Sequence, residues 1–407
     1  MTRPLRIALV AGEDPGWGGI GTYTGELARG LAAEGHHVEL VLRGWEADGV
    51  EVLDGLTVHR VGVPVPAWRR GTVALLSRVH AARESLVFSR RVARRLGRLG
   101  PLDVVEAPEF GAPGLAAMLR SRVARGPVVV VRLHAPGFLT ARLAGEPPTV
   151  DARLVEGLER GAVAGARLVT SPSAALAAEV AARWGVPRRP VQIVANPIDA
   201  VRFRAGREPL EPLTLLVVGR IEHNKGQDVA VEALASIRRA VPGARLLLVG
   251  ADSELAGVGG SALAALRRRA AALGLPDGAL MATGAVDRSE LPEHYAQAGV
   301  CLVPSRFEAF PYTCLEAMAC GRPVVASRTG GLEEIISDGR DGLLVGPGDA
   351  ASLAGAVLRL LGAPDLRRRL GSTARDTVER RFATPVIARR MAAVYNEAAR
   401  PARMSPR

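Results

Sequence analysis

Residues 304–349 read PSRFEAFPYTCLEAMACGRPVVASRTGGLEEIISDGRDGLLVGPGD, and this stretch decides the fold class. Four apolar residues, 300–303, precede it, and an apolar run bounded by breakers predicts a short buried strand. Residues 311–320 have the composition of a helix that Gly321 stops, and residues 323–326 predict a second strand. Strand, loop, helix and strand in this order are typical of an α/β fold.

The start of the predicted helix favours phosphate. Pro311 suits the first helical position, because the N–H group that proline lacks has no partner there. The first N–H groups of a helix are unpaired and carry partial positive charge. We therefore expect a phosphate to lie against the backbone of Phe310, Tyr312 and Thr313.

Two carboxylates flank this expected site. Glu308 precedes it, and Glu316 lies about one and a half turns into the helix. A carboxylate beside phosphate repels it, so the expected partners are hydroxyl groups of a sugar ring and a ribose. Taken alone, the two residues could equally be a solvated glutamate in a loop and a glutamate that stabilises the helix through its dipole.

The whole stretch resembles the retaining glycosyltransferases of family 4. Seven residues separate Glu308 from Glu316, and the words EAMACGRPVVAS and TGGLEEII follow as in that family. The family's EGFG is replaced by EAFP, which removes one N–H group from the phosphate cradle. The resemblance implies the GT-B fold, with two doubly wound Rossmann-like domains that face an interdomain cleft. It also implies transfer of a sugar from a nucleoside diphosphate sugar with retention at the anomeric carbon.

Length and composition agree with a two-domain cytoplasmic protein. A chain of 407 residues is too long to fold around one hydrophobic core of ordinary size, so two domains are expected. No apolar run has the length of a membrane span, and the first residues do not resemble a signal peptide. Cys301, Cys314 and Cys320 are expected to be buried free thiols, because their number is odd and their spacing is not that of a zinc site.

The formal net charge of +12 indicates an anionic partner. No nucleic-acid motif is present and no basic patch is interleaved with aromatic residues, so nucleic acid is not expected. A nucleotide sugar and an anionic membrane surface both fit better.

The basic segment at residues 69–98 is the candidate for membrane contact. Its nine arginines face the single acid Glu84, and its apolar residues recur near helical spacing. Such a helix can lie on the inner face of an anionic bilayer, or it can be a solvated face above one packed apolar stripe. We favour the second interpretation.

The chain opens with a βαβ unit. The sequence predicts, in order, a strand at 5–11, the glycine-rich turn GEDPGWGGIG at 12–21, a helix at 22–33 and another strand. Glycines in such a turn let the backbone approach a phosphate closely, although a purely structural turn is the alternative.

This opening unit also resembles the corresponding unit of family 4, whose glycine loop closes over the donor phosphates and the acceptor. The resemblance assigns Gly18 and Gly19 to the donor, and Tyr23 is a candidate for acceptor contact.

Two further candidates follow predicted strands of the first domain. Glu109 and His134 come after the strands at 102–106 and 128–133, and sites of parallel sheets gather at the carboxyl ends of strands. The resemblance implies that His134 touches the donor sugar. Glu109 is a candidate for orienting the acceptor, and its location is the only basis for this prediction.

A polar, proline-rich linker divides the chain into two domains. It begins at residue 205 and precedes a second series of strands and helices. We predict an acceptor-side domain at 1–204 and a donor-binding domain at 205–385, with the final helix at 386–400 packing back on the first.

The second domain's first strand ends at GRIEHNKG, residues 219–226. Two cations at a strand end, Arg220 and Lys225, can neutralise a pyrophosphate, although exposed surface cations are the commoner case. With the Glu308 stretch, they resemble the family's GRxxxxKG phosphate clamp, which begins here at Gly219. The resemblance also places Val286 and Arg288 near the nucleobase.

The implied enzyme transfers a hexose from UDP-glucose or UDP-N-acetylglucosamine to an acceptor hydroxyl. Catalytic roles fall to Arg220, Lys225, Glu308 and His134. No cofactor and no metal are expected, because the cations stabilise the leaving phosphate and no Asp-x-Asp motif is present. A GT-B nucleotide-sugar epimerase, a phosphorylase and a non-catalytic transferase-like partner remain alternatives.

Overall fold

The computed structural model describes residues 3–44, 47–63, 79–123, 126–185, 190–204, 211–254 and 260–400. The chain divides into two compact units. The first comprises Met1–Ala141, Pro147–Pro197 and Thr384–Arg407, and the second comprises Arg142–Glu146 and Ile198–Ala383.

The first unit contains an eight-stranded sheet of order β3-β4-β2-β1-β5-β6-β7-β8, parallel except for β3. Its strands are β1 Arg6–Ala11, β2 His37–Gly44, β3 Gly49–Leu53, β4 Leu56–Gly62, β5 Val104–Pro108, β6 Val128–Arg132, β7 Leu168–Ser171 and β8 Gln192–Ile193. Five of the six residues of β1 are buried, as expected for a central parallel strand covered on both faces. The direction of strand order reverses between β1 and β5.

Six helices of the first unit alternate with these strands. They are α1 Gly18–Ala33, α2 His80–Leu96, α3 Leu115–Val123, α4 Gly137–Ala144, α5 Val150–Gly165 and α6 Ala174–Trp184. Thr149 and Ser173 cap the starts of α5 and α6, because each hydroxyl oxygen accepts a hydrogen bond from the backbone N–H three residues later.

The second unit contains a six-stranded parallel sheet of order β11-β10-β9-β12-β13-β14. Its strands are β9 Glu211–Val218, β10 Arg245–Val249, β11 Leu280–Ala282, β12 Ala298–Val303, β13 Val324–Ser327 and β14 Leu343–Val345. All six residues of β12 are buried, in agreement with the apolar run that precedes the deciding stretch. The strand order reverses between β9 and β12.

The helices of the second unit connect these strands and extend beyond them. They are α7 Gln227–Ala240, α8 Ala262–Ala272, α9 Leu291–Gln297, α10 Tyr312–Ala319, α11 Leu332–Ile335, α12 Ala350–Leu361 and α13 Pro364–Arg381. The two sheets with helical crossovers confirm the predicted pair of doubly wound α/β domains.

The last helix, α14 at Thr384–Ala399, belongs to the first unit and packs on α1. Gly30 of α1 permits this approach, because a Cβ atom there would lie 2.7 Å from Thr384 Cγ2 and 2.8 Å from Ala388 Cβ. The chain passes into the second unit after Pro197, whereas the sequence analysis placed the boundary at residue 204. Phe203 lies in the second unit because its ring packs edge-on against Tyr295, with 6.2 Å between centroids.

Two predicted helix starts differ from the structure. Helix α1 begins at Gly18 within the glycine-rich run, so the turn is shorter than predicted. Pro311 is the N-cap of α10 and not its first residue, because its ψ of 129° is extended. The antiparallel hairpin of β3 and β4 was not predicted, although the two-residue Asp54-Gly55 turn that joins its strands is a local hairpin signal.

Helix α2 is the described part of the basic segment, and residues 64–78 lie outside the described ranges. Its apolar stripe packs into the core of the first unit through Phe88, Val92 and Leu96. This packing supports the interpretation of α2 as a solvated basic face above a buried stripe. Within the described part of the chain, no helix combines the length and apolarity required to cross a membrane.

All three cysteines are buried and free, as predicted. Burial raises the pKa of each thiol, so the thiols are neutral near pH 7.

Candidate functional site

Each sheet presents a site-forming edge where its strand order reverses. Ligands of open α/β sheets bind outside the carboxyl ends of the strands at such a point. In the second unit this rule selects the segments after β9 and β12, which contain Arg220, Lys225 and Glu308. In the first unit it selects the segments after β1 and β5.

Lys225 and Glu308 form an ion pair at the reversal point of the second unit. Lys225 Nζ lies 2.8 Å from Glu308 Oε1, and the side chains are 25% and 10% exposed. Ser305 is buried, and its hydroxyl donates to the same oxygen over 2.7 Å. Glu308 is therefore held by two donors, and its carboxylate keeps further lone pairs for a ligand.

A second ion pair fastens together the loops that carry Lys225 and Glu308. Arg306 donates to both carboxylate oxygens of Asp228, over 3.0 and 2.8 Å, and its backbone N–H donates to Asn224 O over 2.8 Å. The Asn224 side chain in turn donates to Phe307 O over 3.0 Å. A fork-shaped pair with supporting backbone bonds fixes the relative position of the two loops.

Two glycines are required for the close approach of these segments. A Cβ atom at Gly226 would lie 2.0 Å from Pro304 O, and one at Gly330 would lie 2.2 Å from Glu308 O. Both residues have positive φ, 68° and 54°, which favours glycine further.

Arg220 extends into solvent from the turn after β9. Its side chain is 70% exposed and lies 3.1 Å from Glu222. Gly219, directly before it, has a φ of 138°. An exposed guanidinium at this strand end is accessible to an anion, and an exposed ion pair with Glu222 is a weak competitor.

Glu316 lies in a more enclosed network beside the start of α10. Arg288 donates to Glu316 Oε1 over 3.1 Å, and the hydroxyl of Tyr295 donates to Oε2 over 3.0 Å. The Arg288 guanidinium also lies over the rings of Phe203 and Tyr312, 5.3 and 5.8 Å from their centroids. The structure thus brings Arg288 to Glu316, while Glu308 belongs to the Lys225 group.

The other residues assigned to the donor have less distinct environments. Phe310 is buried, and its ring packs edge-on against Phe382 with 5.7 Å between centroids. Thr313 and Val286 are half-buried. Thr313 O accepts a hydrogen bond from the Tyr295 hydroxyl over 3.3 Å.

In the first unit, Tyr23 and His134 lie in contact. Their rings pack edge-on, with 4.9 Å between centroids. The Tyr23 hydroxyl donates to Glu106 Oε1 over 2.8 Å, and the Arg132 guanidinium covers the Tyr23 ring at 4.6 Å. Burial, and then the charge of Arg132, lower the pKa of His134 well below its usual value, so its imidazole is neutral at pH 7.

Glu109 is fully buried, and its carboxylate accepts the backbone N–H of His134 over 2.8 and 3.0 Å. It is therefore occupied by the protein backbone and removed from solvent, which does not favour the predicted direct contact with an acceptor. Glu159 of α5 is also fully buried and accepts the N–H groups of Gly111 and Gly137 over 2.9 and 3.0 Å.

Gly18 and Gly19 are exposed at the first turn of α1, so their backbone is accessible. A Cβ atom at Gly18 would lie 2.4 Å from the Glu13 carboxylate, and its φ is 59°. Trp17, the residue before them, is 76% exposed.

Sequence reasoning missed Arg132, Glu159, Tyr295 and the Arg306–Asp228 pair. Of these only Arg132 left a signal, since an arginine that ends a run of four valines is unusual in a buried strand. Glu159 and Tyr295 lie in helices, where polar residues are common and do not mark a site in the sequence. Among the described residues, no group of three or more His, Cys, Asp or Glu side chains is placed to hold a metal ion.

The buried carboxylates predict a pH dependence of stability. Burial raises the pKa of Glu109 to about 8 and that of Glu159 to about 7. Both groups ionise near pH 4.5 when unfolded, so between pH 4.5 and 8 the folded state retains protons that the unfolded state releases. The contribution of these two groups to the free energy of unfolding is therefore expected to fall as pH rises through this window, by about 1.4 kcal/mol per pH unit for each retained proton.

Urea denaturation between pH 5 and 9 measures this contribution. Glu109→Gln and Glu159→Gln each remove one titrating group, so each variant should lose part of the decline that the wild type shows. Glu156→Gln is the control on the same helix, because Glu156 is paired with Arg183 and its pKa is lowered. Parallel pH profiles for all four proteins would refute the expected titration.

Comparison with known proteins identifies the chain. The model described as Glycosyltransferase Family 4 matches residues 17–202, and the model described as Glycosyl transferases group 1 matches residues 200–377. D-inositol 3-phosphate glycosyltransferase 2 of Catenulispora acidiphila is 32% identical, with 97% of this chain and 95% of that protein covered.

Two solved structures share the fold. Sucrose-phosphate synthase from Thermosynechococcus elongatus superposes with a TM-score of 0.76 at 24% identity, covering 96% of this chain and 98% of that chain. HepE of Anabaena, solved in complex with UDP-glucose, superposes with a TM-score of 0.69 at 19% identity, covering 97% and 100%. These matches confirm the predicted GT-B fold. The protein belongs to the family 4 glycosyltransferases, enzymes that transfer a sugar from a nucleotide-sugar donor.

Proposed function

We propose that this enzyme transfers a hexose from UDP-glucose or UDP-N-acetylglucosamine to an acceptor hydroxyl with retention of anomeric configuration. The observation that carries the proposal is the Lys225–Glu308 pair, a cation and a carboxylate 2.8 Å apart where the strand order reverses. A cation suits a phosphate and a carboxylate suits sugar hydroxyls, so the pair matches the two halves of such a donor.

Arg220, Lys225 and the start of α10 act on the leaving group. Negative charge grows on the β-phosphate as the bond to the sugar breaks, and preorganised cations stabilise that charge. Arg220 is exposed and available, whereas Lys225 exchanges its bond with Glu308 for one with the phosphate. The acceptor proton passes to the departing phosphate oxygen on the same face of the sugar.

The two glutamates divide recognition of the donor between them. Glu308, released from Lys225, accepts hydroxyl groups of the sugar. Glu316, fixed by Arg288 and Tyr295, accepts a hydrogen bond from the ribose. Because the Arg288 guanidinium is bonded to Glu316, its contribution to nucleobase binding with Val286 stays a prediction.

Residues of the first unit complete the proposal. The neutral imidazole of His134 contacts the donor sugar, Gly18 and Gly19 bring backbone close to the donor phosphates, and Tyr23 borders the acceptor. Since Tyr23 is only 2% exposed and its hydroxyl is bonded to Glu106, its contact with the acceptor stays a prediction.

A ligand screen followed by product analysis tests the function. UDP-glucose and UDP-N-acetylglucosamine at one hundred times their Kd should raise the free energy of unfolding by about 2.7 kcal/mol, more than GDP- or ADP-sugars do at the same concentration. Acceptor-dependent release of UDP is then measured, with D-inositol 3-phosphate included because the Catenulispora relative is named for it. An isomerised sugar without transfer would indicate an epimerase, and binding without either product would indicate a non-catalytic partner.

Activity is expected to survive chelation. Because side-chain cations and a helix start supply the charge at the leaving phosphate, EDTA should leave UDP release within about twofold of the untreated rate, far less than the loss caused by removing a catalytic charge. Initial rates with EDTA and after addition of Mg²⁺ or Mn²⁺ measure this. A rate abolished by EDTA and restored by either ion would show that the cations do not suffice.

The anionic membrane contact of the basic segment stays a prediction. Arg90, Arg94 and Arg98 are exposed on and just after α2 and offer positive charge to such a surface. Cosedimentation with vesicles of phosphatidylglycerol and phosphatidylcholine, compared at low and high salt, measures it.

A further inference from the structure

We propose that Glu109 and Glu159 are positioning residues that hold the His134 loop in its reactive position. This inference rests on the proposed role of His134 toward the donor sugar. It gives the two buried carboxylates a task within the known reaction, and it replaces the direct acceptor contact first suggested for Glu109.

Glu109 fixes the beginning of the loop. It follows β5 directly, and both of its carboxylate oxygens accept the N–H of His134, which lies two residues after β6. Its own backbone N–H donates to Arg132 O over 3.0 Å. The ends of two neighbouring strands are thus joined through one side chain at the residue that carries the imidazole.

Glu159 fixes the end of the same loop and the turn after Glu109. Its two oxygens accept Gly137 N–H and Gly111 N–H, one from each loop. The left-handed φ of Gly111, 67°, and of Ala112, 49°, shapes that turn. His134 is therefore held between a carboxylate at its own N–H and another three residues later.

The cost of burying these groups argues for a function. A carboxyl group removed from water is destabilising unless hydrogen bonds replace the lost hydration, whether it is ionised or protonated, and here two lie at zero exposure in one region. Polar loops on a surface close without such groups. The bonds of both carboxylates to backbone N–H groups define a loop geometry more closely than apolar packing would.

Ring resonances of His134 and steady-state kinetics test the inference together. Proteins labelled with ¹⁵N-histidine are compared as wild type, Glu109→Gln, Glu159→Gln and Glu156→Gln, and His134→Ala assigns the signal. Glu156 lies one turn before Glu159 on α5 and bonds to Arg183 and Trp184, so it is a matched control. Glutamine keeps the shape but replaces one acceptor oxygen with a donor.

We expect the His134 signal to shift in Glu109→Gln and Glu159→Gln and to stay in place in Glu156→Gln. With UDP-glucose, kcat should fall about tenfold in Glu159→Gln, the scale of one hydrogen bond. In the His134→Ala background the same substitution should change kcat less than twofold, because its effect passes through the imidazole.

An unmoved His134 signal, or a tenfold loss that persists without the imidazole, overturns the inference. Melting temperatures separate either result from unfolding, and Glu159→Gln alone decides the matter if Glu109→Gln does not fold. A wild type that turns over neither UDP-glucose nor UDP-N-acetylglucosamine, or a His134→Ala variant with full activity, would instead refute the proposed function. The resonance comparison needs no substrate and still tests whether the two carboxylates position the ring.

Discussion

Replacement of Arg220 or Lys225 with alanine is expected to lower kcat/KM by about 10²-fold or more, the scale of losing one charge-stabilising donor in a transition state. The reason is that the proposed reaction assigns stabilisation of the charge on the leaving phosphate to these two side chains. Arg220 is 70% exposed, so its removal should leave the fold unchanged. Release of UDP from the sugar donor, measured at several donor concentrations, gives the loss.

Arg245→Ala is the matched control. Arg245 also lies in an exposed ion pair on the second sheet, with Glu211, but at the amino end of β10. Its removal should change kcat/KM less than twofold, as expected for an exposed pair remote from the proposed site. Since Lys225→Ala leaves Glu308 without its cation, melting temperatures must accompany the kinetics. Wild-type turnover in either Arg220→Ala or Lys225→Ala would contradict the assignment.

Glu316→Gln is expected to weaken binding of bare UDP and of the full donor alike, whereas Glu308→Gln should affect only the donor. A charge-assisted hydrogen bond contributes about 1.5–3 kcal/mol, so UDP affinity should fall roughly tenfold or more in Glu316→Gln. Glu308→Gln releases Lys225 for the phosphate, so UDP affinity should hold. Turnover should nevertheless collapse, because the sugar loses its carboxylate.

Calorimetric titration with UDP and with UDP-glucose measures both affinities. Glu211→Gln, an exposed glutamate at the amino end of β9, is the control for loss of a carboxylate from this unit. A loss of UDP affinity in Glu308→Gln as large as in Glu316→Gln would show that the two glutamates do not divide the donor as proposed.

Much of the fold could be predicted because its signals are local. The apolar run 300–303, Pro311 and Gly321 mark a strand, a helix start and a helix end between residues 300 and 321. The structure has β12 and α10 at these places. The hairpin at 49–62 was overlooked although it too left a local signal, since Asp54 and Gly55, with φ of 51° and 77°, form the two-residue Asp-Gly turn that is typical of a hairpin.

The candidate residues of the second unit were found for a different reason. Arg220, Lys225, Glu308 and Glu316 belong to continuous words whose spacing resembles a known family, so they needed no knowledge of contacts. What each of them touches was not predictable. Lys225 meets Glu308 across 83 positions of sequence, and Tyr295 meets Glu316 across 21.

The sequence by itself thus determined the α/β class and the family, and it selected the charged residues that are candidates for the site, because local patterns and motif words carry that information. Only the tertiary structure decided their partners. Strand order brings β5 beside β6 and β9 beside β12, and no local pattern encodes which strands become neighbours. For this reason Glu109, selected by its place after a strand as a candidate for orienting the acceptor, lies buried against the backbone of His134, 25 positions away.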